Sequence, residues 1–151
     1  MTGLKKIIGL PVIIGGKQAG TVLRGILTQD GRSLRGIVVR SGLKGARWLP
    51  RSSISLVGRV SVIAEGKPER VPKDAVYRLF RVSDPEGTRL GIVTDALFHE
   101  DTLRVSALEI SGGPLDDLLD GRWYAVSFHV HPQGTTGHVI VPNGREEVTE
   151  A

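Results

Sequence analysis

Gly20-Thr-Val-Leu-Arg-Gly-Ile-Leu27 and Gly91-Ile-Val-Thr-Asp-Ala-Leu-Phe98 are two runs of one pattern, a glycine followed by apolar and β-branched residues. Each run is followed by a turn and a second apolar stretch. Leu34-Arg-Gly-Ile-Val-Val39 returns after Asp30-Gly31, a strong hairpin signal. Leu103-Arg-Val-Ser-Ala-Leu108 returns after a turn that this pairing makes two residues shorter. Residues 50–58 then match 114–121, each opening on Pro and closing on Gly, with apolar strands following at 60–64 and 123–130. One small β unit, used twice, accounts for nearly the whole chain.

Composition agrees with short strands joined by tight turns. The 151 residues are 40% hydrophobic and 24% charged, as in soluble globular domains, and 20 are glycine, roughly twice the usual share of ~7%. With no cysteine, disulfides, thiol catalysis and Cys-ligated metal centres are excluded, and a cytoplasmic home is the default expectation. Lys5 and Lys6 before the apolar residues 7–14 imitate the start of a signal peptide, but Lys17 and Gln18 stand where small residues should mark cleavage. The run also falls short of the ~20 apolar residues that span a bilayer, so it reads as a strand broken at Pro11 and closed by Gly15-Gly16. Pro50 opens a turn or helical step reaching Ile54.

These signals divide the chain into a first unit, 1–64, and a second, 76–145, which carries an extra hairpin at 129–141 around Pro132-Gln-Gly134. Residues 65–75, with two prolines and six charges, read as an exposed linker, and 146–151 as a frayed acidic tail. A unit of about 65 residues buries only ~60% of its unfolded surface, so the two are expected to dock. Short antiparallel strands avoid bare edges by curling, which points to a closed or nearly closed barrel. The expected fold is all-β, two small barrels in tandem, docked, with little helix.

Gly91-Ile-Val-Thr-Asp95, a hairpin, an apolar strand and the turn at 114–121 together resemble the PRC-barrel family. The first unit keeps Gly20, Val22, Pro50 and Gly58 but has Arg24 where that pattern has its aspartate. The resemblance covers residues 5–64 and 76–130. It implies a fold similar to the cytoplasmic part of the photosynthetic reaction-centre H subunit and to the C-terminal domain of the ribosome maturation factor of the small subunit. Both of those work by holding a partner. The resemblance therefore implies a non-catalytic adaptor that docks on a protein or ribonucleoprotein.

Charge is divided unevenly along the chain. Residues 1–64 hold eleven Lys and Arg against one acid, Asp30, a net of +10, whereas residues 76–151 hold six Arg against twelve acids, a net of −6. A basic first unit attracts phosphate backbones, and the surface expected to meet a partner or RNA comprises Arg24, Arg35, Arg40, Lys44, Arg47, Trp48 and Arg51. Trp48 has two readings, stacking on an exposed base or packing in the core, and packing is favoured because large aromatics dominate cores. Attraction between the +10 and −6 units, within one molecule or as a homo-oligomer, is the competing account of the asymmetry.

No catalytic constellation and no cofactor motif emerge, and the chain is expected not to be an enzyme. Ser52, Ser53 and Ser55 lie beside no histidine, and Asp116, Asp117 and Asp120 read as an exposed acidic turn. The one metal candidate is a trio of histidines. His129 and His131 share a strand face, and a four-residue loop at 132–135 sets His138 opposite His129. A one-residue change in that loop moves His138 to the other face, leaving solvated hairpin histidines.

Overall fold

In the computed structural model, residues 1–144 are described, so the expected tail at 146–151 lies outside the described residues. Described strands are β1 (Thr2–Gly3), β2 (Pro11–Ile14), β3 (Lys17–Leu27), β4 (Leu34–Arg40), β5 (Ala46–Pro50), β6 (Ile54–Val57) and β7 (Val62–Ala64). They continue as β8 (Arg78–Ser83), β9 (Arg89–Phe98), β10 (Val105–Ser111), β11 (Trp123–Ala125), β12 (His129–Gln133) and β13 (Thr136–Ile140). The described helical elements are α1 (Pro114–Asp120) and single 3-10 turns at Gly42–Lys44 and Arg51–Ser53. The fold is all-β with little helix, as expected, and none of the described helices is long and apolar enough to cross a membrane.

The strands form two sheets of one design. The first runs β5-β4-β3-β2-β7-β6 and the second β11-β10-β9-β8-β13-β12, with β1 added to β9. In each sheet path, the strand earliest in sequence pairs parallel with the latest, β2 with β7 and β8 with β13, while the other ladders are antiparallel. Each ladder path is open at its ends, β5 and β6 in the first sheet and β11 and β12 in the second. One glycine sits at the same place in both. A Cβ on Gly20 would strike the carbonyl oxygen of Arg40, and one on Gly91 that of Ser111, so the second strand can approach its neighbour only without a side chain.

Register refines the repeat in two places. Leu27 pairs with Leu34 and Phe98 with Val105, so the two hairpins are equal in length and the expected two-residue difference is absent. The second hairpin hides this because it turns through Leu103, a non-glycine at φ 60, where the first uses Gly31 at φ 70. Residues 114–121 also do not correspond to 50–58. Val38 pairs with Trp48 and Glu109 with Tyr124, which makes β5 the counterpart of β11, so α1 is an insertion at the position of the Gly42–Lys44 turn.

The halves share one core. Ile37, Leu49 and Val62 of the first sheet and Phe98, Leu108 and Ile110 of the second belong to a single buried cluster. Backbone bonds join the halves as well. Leu34 N–H donates to Leu103 (2.8 Å) and Val105 N–H to Arg32 (2.8 Å), forming an antiparallel bridge between Ser33 and Arg104. Arg32 stacks on Phe128 and donates to its carbonyl oxygen at 2.7 Å. β1 crosses from the first half to pair with β9, and the Met1 amine meets Glu100.

Candidate binding surface

The basic residues of the first half fall into two groups. Arg24, Arg40 and Lys44 are exposed. None of the three takes part in an ion pair among the described residues. The half's one acid, Asp30, makes no ion pair with them among the described residues, and its Oδ1 accepts from the Thr28 hydroxyl at 2.6 Å and the Arg32 amide at 3.0 Å. Those hydrogen bonds, the Thr28 one foremost, outweigh its partial burial and lower its pKa.

Of the other expected contact residues, Arg35, Arg51 and Trp48 are committed within the molecule. Arg35 pairs with Asp74 at 3.0 Å and lies over the Trp48 ring, and Arg51 donates to the Thr102 carbonyl oxygen at 2.7 Å. Arg47 is half-buried, and its Nε is covered without a hydrogen-bond partner. Trp48 is only 4% exposed. Its backbone exchanges hydrogen bonds with Glu69 of the 65–75 segment, and its ring packs with Ile26, Val38 and Ala75 in a second small core. The indole faces are covered, so Trp48 packs and offers no platform to a base. Segment 65–75 is thus a strap across the outer face of the first sheet as well as a connection.

Where the strap passes the end of the first sheet, a small notch of about 140 Å³ opens, lined by Ser41, Lys44, Arg47, Lys67 and Pro68. Its lining has three cations and no acid. Lys67 is the member that sequence reasoning missed, since it sits in a charge-balanced segment and is brought to the first half by the backbone bonds on either side of it, Glu65 to Ser53 and Glu69 to Trp48.

The corresponding face of the second half is polar. Glu109 stands where the first half has Val38, and Tyr124 where it has Trp48. The Glu109 carboxylate accepts from Thr94 Oγ1 (2.7 Å), Arg122 (3.0 Å) and the Tyr124 hydroxyl (3.3 Å). Burial pushes its pKa up, but these hydrogen bonds and the Arg122 charge together bring it below its ordinary value. Asp117 accepts from Ser111 Oγ at 2.6 Å and lies 3.5 Å from Arg122 Nε, and the Ser111 bond leads in lowering its pKa. Beside them a cleft of about 660 Å³ runs between β9 and α1, with Arg89, Asp116, Asp117 and Arg122 on its walls. Asp95, which carries the acid position of the repeat, accepts from the backbone of Lys5 (3.3 Å) and Ala96 (2.8 Å). It tethers the N-terminal segment, a task the first half does not have at Arg24.

The three histidines share one face of the hairpin, but not in the expected pairing. β12 and β13 close through Gly134-Thr135 with Gln133 opposite Thr136, so His138 faces His131, and Ile140 faces His129. The expected His129–His138 pairing is corrected by a loop two residues shorter than read. No group of three or more His, Asp or Glu side chains suited to a metal occurs among the described residues. His138 Nε2 instead meets Ser83 Oγ at 2.9 Å, a contact made by the parallel β8–β13 pairing and invisible to local sequence. Ser83 is 6% exposed, and the neighbouring cleft is lined by His138 but not by Ser83, so the hydroxyl is not presented to a substrate.

Comparison with known family models and with curated proteins finds no match for this chain.

Proposed function

We propose that this is a non-catalytic binding protein of PRC-barrel type, working in the cytoplasm as an adaptor on a protein or ribonucleoprotein partner. The contact surface is the basic first half. The observation that carries the reading is that Arg24, Arg40 and Lys44 are exposed and free of ion pairs among the described residues, with Lys44 on the wall of a notch also lined by Arg47 and Lys67. Unneutralised surface cations attract a polyanionic partner and give binding that weakens with salt. Direct RNA binding is the second reading, favoured by the same notch. With Trp48 covered it rests on phosphate contacts and carries little base preference.

The test is co-sedimentation with ribosomes at low and moderate salt, beside a variant carrying Arg24→Glu, Arg40→Glu and Lys44→Glu. These exposed positions leave the core untouched, so unfolding profiles should match. Retention that the variant loses supports the reading, and no retention at either salt overturns the ribonucleoprotein partner. Naked RNA is the third arm. Three phosphate contacts to a single strand predict a loss on the order of 20-fold between 50 and 200 mM salt. Equal affinity for naked RNA and ribosomes would select the second reading.

A further inference from the structure

The insertion that distinguishes the second half has no work to do within the chain's own core. α1 contains no buried residue. Its Leu115, Leu118 and Leu119, at i, i+3 and i+4, lie on one face and are 67%, 81% and 71% exposed. Pro at the first turn and the N–H of Gly121, donating to Asp117 at 3.0 Å, set its ends, and Asp117 anchors it to Ser111. The molecule therefore holds a helical turn in place and points its apolar side at solvent, the mark of an interaction site. Asp116 stands exposed on the same helix, in a half of net charge −6, so a surface that fits this one is apolar and basic.

Such a surface exists on the same chain. The Gly42–Lys44 turn is wholly exposed, with Leu43 standing clear of all neighbours. It is flanked by Arg40 and Lys44 and adjoins the notch with Arg47 and Lys67. It occupies the β4–β5 connection, the position α1 occupies between β10 and β11. Because both leucine surfaces are open in one molecule, they do not cover each other within it.

We propose that α1 of one molecule docks on the Gly42–Lys44 corner of a second copy of this chain, leucine against leucine and acid against base. The contact joins two different patches, so each copy of a pair keeps one patch unused, the pair as a whole keeps one of each, and association can extend beyond a pair. The corner is also part of the surface assigned above to an external partner, so self-association and partner binding exclude one another.

Sedimentation velocity from micromolar to several hundred micromolar protein, at low and moderate salt, tests this. The wild type should form larger species with rising concentration, less so at moderate salt. Leu118→Asp and Leu43→Asp should each stay monomeric with unchanged thermal unfolding, since both sites are exposed. An equimolar mixture of the two variants should give a dimer and nothing larger, because each supplies the patch the other lacks. A wild type monomeric throughout, a Leu118→Asp protein that associates like wild type, or a mixture that forms no dimer would each overturn the contact. Leu118→Asp leaves Arg40 and Lys44 in place and should still bind ribosomes, which separates failure of this contact from failure of the function proposed above.

Discussion

The outer faces of the two sheets have the same strands beneath them and opposite chemistry upon them. Over the first, the 65–75 strap seals Trp48, Val38 and Ile26 from water with Val71 and Ala75. Over the second, Glu109, Tyr124, Thr94 and Arg122 form a hydrogen-bonded network open to solvent. A repeated backbone therefore dictates which positions face outward, and the covering segment decides whether those positions are apolar. Removing a side chain from a sealed face leaves a cavity, whereas removing one from an open face lets water replace it.

The largest expected effect follows directly. Trp48→Ala should destabilise the fold by about 3–5 kcal/mol, and its counterpart Tyr124→Ala by about 1 kcal/mol, both read from urea unfolding. Equal losses would break the contrast between the faces. Gly20→Ala and Gly91→Ala should behave as twins, each costing about 1–3 kcal/mol because the new methyl must displace a neighbouring carbonyl. A neutral result at one and a cost at the other would refute the equivalence of β3 and β9.

Acid should sharpen the comparison further. The folded pKa of Glu109 is lowered, so its contribution is present above the ordinary Glu value of about 4.3 and is lost as pH falls through the folded value. The effect should stay under about 1 kcal/mol, because the group is in contact with solvent. Stability measured from pH 6 down to pH 3 should fall less steeply in Glu109→Gln than in wild type, and an unchanged slope would remove the network's role. The smallest effect belongs to Arg35→Ala, about 0–1 kcal/mol. Its pair with Asp74 is exposed, and the strap is held chiefly by Trp48 and Ala75.

The class of the fold was legible from periodicity, and so was the first hairpin, because Asp30-Gly31 announces itself by residue type. The second hairpin was misjudged in length because Leu103 takes a left-handed conformation that side chains rarely adopt, leaving no glycine to mark the turn. α1 was mistaken for the equivalent of 50–58 because proline opens both, although proline suits the first turn of a helix and the end of a strand alike. At the candidate surface, Arg24, Arg40 and Lys44 lie exposed as the charge pattern indicated. The engagement of Arg35 and the burial of Trp48 were beyond local reading, since both depend on where a proline-containing strap turns back. The histidine register failed for a similar reason. A β-hairpin loop of two residues and one of four share their composition here, and they give different partners.

The bridge between Ser33 and Arg104 lies where the two halves meet through matching strand starts, Arg32–Leu34 against Leu103–Val105. Two identical half-length chains joined at that edge would form a symmetric pair, and symmetry would oblige both to carry the same charge and the same outer face. A single continuous polypeptide is released from that obligation. Its halves keep the self-complementary seam of a dimer while one becomes strongly basic and the other acidic, giving a molecule with two unlike ends.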